Sequence, residues 1–127
     1  MQENYSFEYA VIRIVPRVER DEFINVGVVL YCQKKKFLGM KYHLEETRLQ
    51  AFPSAPALEE LTPYLLAFQQ ICEGIKEGGP IAQLDTGSRF RWLTAQRSTI
   101  VQTSRVHPGL TPNPQQTLEL LFEKMVL

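Results

Sequence analysis

The chain has 127 residues, with fourteen basic and fourteen acidic side chains, a formal net charge of zero and 44% apolar content. That length predicts a single domain over residues 1–127 with a sizeable core. The balanced charge gives no bulk electrostatic argument for nucleic acid or a membrane surface as partner, and no apolar run approaches the length of a membrane span.

The segment Met1 to Tyr5 lacks a basic stretch followed by an apolar one. No signal peptide is expected, and the default location is the cytoplasm. Residues 1–6 are polar and predicted to fray. Phe7 to Val15 reads as a strand with Tyr9, Val11, Arg13 and Val15 on one face and Ala10, Ile12 and Ile14 on the other. Both faces are largely apolar, which predicts a central strand covered on both sides. Arg13 is the exception, since a guanidinium there needs an acceptor or an opening to water. Pro16 ends the strand.

Arg17 to Phe23 is a charged connection leading into Ile24–Cys32, a second strand by composition. Gly27 within it points to a bulge or a close approach by another group. Gln33–Lys36 predicts a hairpin tip. Phe37 to Leu44 then alternates as a third strand, with Leu38, Met40, Tyr42 and Leu44 on one face and a more polar face opposite. Glu45 to Ala55 reads as a connector anchored by Leu49 and Phe52 and broken at Pro53 and Pro56.

The clearest helix follows. Leu58, Leu61, Leu65, Phe68, Cys72 and Ile75 recur at spacings of three and four. Thr62 as N-cap with Pro63 in the first turn predicts a helix over 62–77; a longer helix kinked at Pro63 is the alternative. Gly78 and Gly79 before Pro80 stop it. Phe90 and Leu93 favour a short helix, although alternation fits a strand almost as well. Ser98 to Thr103 predicts a fourth strand, and Arg105 to Gly109 a loop. Asn113 and Pro114 precede a last amphipathic helix with Leu118, Leu121, Phe122 and Met125 on its apolar face. The fold class is α+β: an antiparallel sheet of about four strands with two main helices packed against it.

No catalytic template is present: no glycine-rich phosphate loop, zinc-protease helix or nucleophile elbow. A Ser98–His107 pair with Glu22 or Asp21 as orienting carboxylate is conceivable only if folding brings them together. Cys32 and Cys72 fall on apolar positions and read as buried thiols. Glu19, Asp21 and Glu22 could bind a hard cation, but the interleaved Arg17 and Arg20 make self-pairing simpler. No metal site, catalytic residue or cofactor is expected.

The arginines are more informative. Arg89, Arg91, Arg97 and Arg105 lie near Ser98, Thr99, Thr103 and Ser104, the right donors for phosphate or a nucleic-acid backbone. Phe90 and Trp92 could stack on a base, although Trp92 fits a core position too. Arg13 with Glu22 and Asn25 reads as a structural network fixing the loop. The candidate binding residues are therefore Arg13, Glu22, Asn25, Arg91, Arg97, Ser98 and His107.

Two groups of segments also carry a resemblance. Tyr9 to Arg17 followed by Glu22 to Tyr31 is one. Arg89 to Leu93 followed by Arg97 to Gln102, Val106 and His107 is the other. Together they resemble the bacterial domain of unknown function 3037 family, from Tyr9 to the last helix. Gln96 departs from the proline expected before Arg97. The family has no established activity or catalytic residues. The resemblance implies a small cytoplasmic protein encoded beside a HipA-like kinase, and hence a protein partner. The function read at this level is a non-enzymatic interaction or regulatory partner, with phosphate, nucleotide or nucleic-acid binding through the arginines as the alternative.

Overall fold

The computed structural model describes residues 3–52 and 55–127. Its element order is β1 (Tyr5–Ile14), β2 (Ile24–Cys32), β3 (Phe37–Tyr42), α1 (Glu46–Gln50), α2 (Leu58–Glu73), α3 (Thr86–Leu93), β4 (Val101–Thr103), β5 (His107–Thr111) and α4 (Pro114–Met125). The strands form one antiparallel sheet in the order β3-β2-β1-β4, with β5 also pairing β1. The fold is α+β, as the sequence predicts. Among the described residues no helix is long and apolar enough to cross a membrane.

Strand β1 is central and closed on both faces. Ala10, Ile12 and Ile14 meet Leu61, Leu65, Phe68, Phe90 and Leu93 from α2 and α3. Phe7 joins Val28, Leu30 and Cys32 against Leu118, Phe122 and Val126 at α4. This two-sided burial is why both β-branched runs lack a polar face. The third strand's second face also belongs to a core. Gly39 lies where a Cβ would come 3.2 Å from Leu118, and the Lys41 ammonium sits 5.1 Å from the Phe122 ring centre. The lysine stem covers apolar surface while its head reaches water.

Gly27 marks a bulge. Ile12 pairs with Gly27 but Arg13 pairs with Asn25, so Val26 is an extra residue in β2. The extra residue lets Val26 and Val29 share the α2 face while Val28 and Leu30 share the α4 face. A Cβ at Gly27 would stand 2.7 Å from the Lys41 carbonyl oxygen and 2.8 Å from the Tyr42 Cβ, so β3 passes too close for any side chain. The β2–β3 hairpin closes at Gln33–Lys36, with the Lys36 amide donating to the Gln33 carbonyl and Lys36 at φ 52.

Several boundaries differ from the sequence expectation. Tyr5 and Ser6 are not frayed but pair with Thr111 and Leu110. Met1 and Gln2, and the expected breaker Pro53, lie outside the described residues. The connector after β3 contains α1, which buries Leu49. Thr62 is not an N-cap. Helix α2 starts at Leu58, with Pro63 as its sixth residue, and the Thr62 hydroxyl donates back to the Leu58 carbonyl. It ends at Gly74, not at Gly78. Gly74 has φ 71, and the amides of Gly74 and Ile75 return to the Ile71 and Gln70 carbonyls. That is a glycine-capped Schellman end. The segment 86–93 is a helix, not a strand.

The expected loop at Arg105–Gly109 gives way at His107 to β5, which runs on to Thr111. Strands β4 and β5 together form one interrupted edge along β1, and Ser104 bridges the interruption. Its amide donates to the Val11 carbonyl at 2.8 Å, and its hydroxyl accepts from the Val11 amide at 2.9 Å. A side chain thus replaces one rung of backbone pairing, which satisfies a buried donor. At the other end Asn113 caps α4, accepting from the Gln116 amide at 3.1 Å with Pro114 as first helical residue.

Candidate functional site

Folding distributes the seven sequence candidates over separate places. Arg13 and Asn25 are cross-strand neighbours, but the expected network with Glu22 does not form. Glu22 accepts from Arg20 at 2.7 Å, and Glu19 from Arg17 at 2.8 Å, so the charged loop is self-paired. The Arg13 guanidinium stacks 3.9 Å over the Phe23 ring, and its Nε has no partner among the described residues. Burial pulls Arg13 below its ordinary pKa, against an opposing pull from the charge of Asp21. Asn25 instead donates to the Met125 carbonyl at 3.2 Å, beside Arg48, which reaches the Val126 carbonyl at 2.6 Å. These two side chains close the C-terminus of α4, where carbonyls lack partners within the helix.

The second arginine group does not converge either. Arg89 donates to the Ile71 and Cys72 carbonyls at 3.1 and 3.0 Å, which makes it a cap for α2. Arg91 is exposed on α3. Its charge helps hold Asp85 below the ordinary carboxylate value, though the hydrogen bond from the Ser88 hydroxyl contributes more. His107 lies 5.3 Å from the Tyr9 ring, ring centre to ring centre, on the α4 face of the sheet. Ser98 is two residues before Ile100, whose carbonyl accepts from the Val15 amide, and Val15 is six residues of extended chain from Tyr9. Six residues of strand span about 20 Å, so Ser98 and His107 cannot share a proton. Cys32 and Cys72 are buried free thiols, and burial pushes Cys72 up to about 12. Among the described residues no three His, Cys, Asp or Glu side chains gather as metal ligands would.

What folding does build is a groove around Arg97 and Ser98. Its floor is Val15, just past the end of β1, with Ile100 and Val101. One wall is α2, with Tyr64, Ala67 and Phe68; the other carries Trp92 from α3 and Val18 from the charged loop. The space is about 710 Å³. Tyr64 is 55% exposed, Val18 46% and Trp92 37%. Trp92 is therefore a surface ring and not a core one.

Local sequence explains why this end stays open. Phe90 and Leu93 take the buried stripe of α3, and at 100° per residue Trp92 falls off that stripe. Its edge meets Phe68 at 6.2 Å between ring centres. Arg97 then folds back. Its guanidinium carbon lies 4.5 Å from the Trp92 ring centre and 5.3 Å from that of Phe68, and Nη2 donates to the Trp92 carbonyl. Burial pulls its pKa below the ordinary value. A second hollow of about 330 Å³ continues the groove, sharing Tyr64 and Ile100 and adding Glu60 and Pro63.

Tyr64, Phe68 and Val18 were not among the sequence candidates. The available signal is spacing within α2: Phe68 belongs to the apolar stripe of the helix, and Tyr64 stands at its edge, three residues after Leu61 and four before Phe68.

No curated protein and no solved structure matches this chain. A family match does exist, to the family described as "Protein of unknown function (DUF3037)", over residues 9–126. It includes the strand and arginine segments that carry the resemblance, and the chain belongs to that family.

Proposed function

We propose that the protein is a non-enzymatic interaction module that docks a segment of another protein in the Tyr64–Trp92–Arg97 groove. The observation that carries this reading is the make-up of the groove's rim. Tyrosine, tryptophan and arginine are the residue types that dominate binding energy at protein interfaces. Here all three surround one concave apolar space. Tyr64 and Val18 remain about half exposed, and an apolar patch rimmed by polar groups is a usual mark of an interaction surface. The dispersal of Arg13, Arg91, Arg97 and His107 weighs against the alternative, a phosphate or nucleic-acid site, because such a site needs converging donors.

The family resemblance makes a HipA-like kinase the first partner to test, with a regulatory role for this chain in the cytoplasm. The tagged protein would be recovered from its native cells with and without nuclease, and co-purifying chains identified by mass spectrometry. The same recovery would be made with a Tyr64→Ala, Trp92→Ala variant. A stoichiometric kinase chain that survives nuclease and is missing from the variant supports the proposal. Equal recovery by the variant removes the groove from it. Nucleic acid in place of a protein favours the alternative and makes Arg13 and His107 the residues to mutate next.

A further inference from the structure

Resting on that docking reading, we infer that the groove takes an acidic apolar segment, in which an Asp or Glu side chain meets Arg97 while neighbouring apolar side chains fill the space beside Tyr64 and Phe68. The argument starts from charge. Arg17, Arg20 and Arg48 each have a carboxylate within 4.0 Å, whereas Arg97, like Arg13, Arg89, Arg91 and Arg105, has none among the described residues. Among the described residues that line the larger hollow, Arg97 is the one charged side chain. The larger hollow therefore carries one positive charge against apolar walls, and the lining carboxylate of Glu60 belongs to the smaller hollow and makes no ion pair with it among the described residues.

Its geometry is already set. Trp92 and Phe68 flank the guanidinium, and one N–H is held by the Trp92 carbonyl. Among the described residues Nε and Nη1 have no hydrogen-bond partner, yet neither is a fully buried atom. Both keep some exposure to solvent and can donate to a carboxylate. A side chain held in this way loses little further freedom when it binds.

Desolvation then selects the ligand. Arg97 is already partly desolvated in the free protein. An occupant that fills the groove removes the remaining water from the guanidinium. A wholly apolar occupant would leave that charge buried and unpaired, which is costly, and a lysine or arginine would add like-charge repulsion. A carboxylate supplies the missing acceptor. Val15, Ile100 and Val101 form an apolar floor beside it, so the groove favours a mixed segment over a polyacidic one.

The test is a selection of random peptides joined to a carrier through their C-termini, so that side chains hold the only peptide carboxylates. The full chain is the bait. Peptides recovered in a Tyr64-dependent way are expected to carry Asp or Glu beside apolar residues. Their affinity should fall at least about tenfold with Arg97→Met, or with Asp→Asn or Glu→Gln in the peptide, and recover in part with Arg97→Lys. The peptide-side change keeps the test valid even if Arg97→Met perturbs folding. Peptides that need Tyr64 but lack an acid, or ignore the loss of Arg97, overturn this inference and leave the docking reading standing. If no recovered peptide depends on Tyr64, the docking reading fails and the inference with it.

Discussion

The two ends of the α2–α3 pair use the same kind of residue in opposite ways. At one end Arg89 reaches from α3 to the last carbonyls of α2 and is enclosed with Gly74 and Ala82. At the other, Arg97 returns from beyond α3 to the outside of Trp92 and stays beside solvent. Eight residues separate them in sequence. The first guanidinium completes a helix end whose carbonyls would otherwise be unpaired. The second makes one backbone hydrogen bond and retains donors that face outward. An arginine-rich stretch is thus no indication of one site, since each cation answers to the nearest set of acceptors.

The sharpest way to break the comparison is Arg89→Met. It removes two charge-assisted hydrogen bonds and a cation from the negative end of α2. The expected loss is about 2–3 kcal/mol, measured by urea unfolding at neutral pH. A loss as small as that expected for Arg97 would show that the two ends are energetically alike.

Gly74→Ala tests the same closed end from the backbone side. Gly74 sits at φ 71, and an added Cβ would strike the Arg89 guanidinium. Left-handed strain alone costs about 1–2 kcal/mol, so a loss of that order is expected, with part of it absent in an Arg89→Met background. Full additivity of the two substitutions would mean that Arg89 and Gly74 do not act on one structure.

Cys72 gives the closed end a pH signature. Its thiol ordinarily ionises near 9.0, and burial pushes it up to about 12, with the Arg89 charge pulling the other way. The folded state therefore keeps this proton where the unfolded state gives it up. Any stability tied to the neutral thiol is complete below pH 9 and declines as pH rises toward 12, by at most about 1.4 kcal/mol per pH unit. Comparing the alkaline unfolding of wild type with Cys72→Ala isolates it: the wild type should lose its advantage over that range. Parallel curves would show that the thiol ionises as easily in the folded protein.

What could be read in the sequence follows from how local the cause is. The strands Tyr5–Ile14 and Ile24–Cys32 declare themselves because their β-branched residues are buried on both faces. The Asn113–Pro114 start of α4 is a property of adjacent residues. β5 was hidden because Pro108 and Gly109 read as a loop. On an edge strand a proline is tolerated, and Gly109 makes room for the Phe7 ring, which would lie 2.6 Å from a Cβ there and would have to shift. Phe7 is a hundred residues away in sequence. The α2 ends were misplaced for a similar reason: Gly74 outranks Gly78 because Arg89 and the Gln70 and Ile71 carbonyls meet it. Among site residues, Arg97 and Ser98 were legible as types. Their neighbours Tyr64, Phe68 and Val18 come from other elements, and only the packing of α2 against α3 and β1 puts them beside Arg97.

The smallest stability effect belongs to Arg97→Met, and it sharpens the comparison most. The substitution removes one hydrogen bond to the Trp92 carbonyl and the cation–π contacts with Trp92 and Phe68. Such contacts contribute about 0.5–1 kcal/mol at sites open to water, and the methionine stem still covers both rings. The hydrogen bond is exposed and adds little net over water, so unfolding in urea should move by about 1 kcal/mol, less than the loss at Arg89. The same variant should lose most of its affinity for an acidic peptide seated in the groove. A residue whose removal scarcely moves stability but weakens binding has its principal acceptor outside the chain. If Arg97→Met instead unfolds the protein as readily as Arg89→Met does, the open end is as structural as the closed one, and Arg97 is a second cap rather than a docking residue.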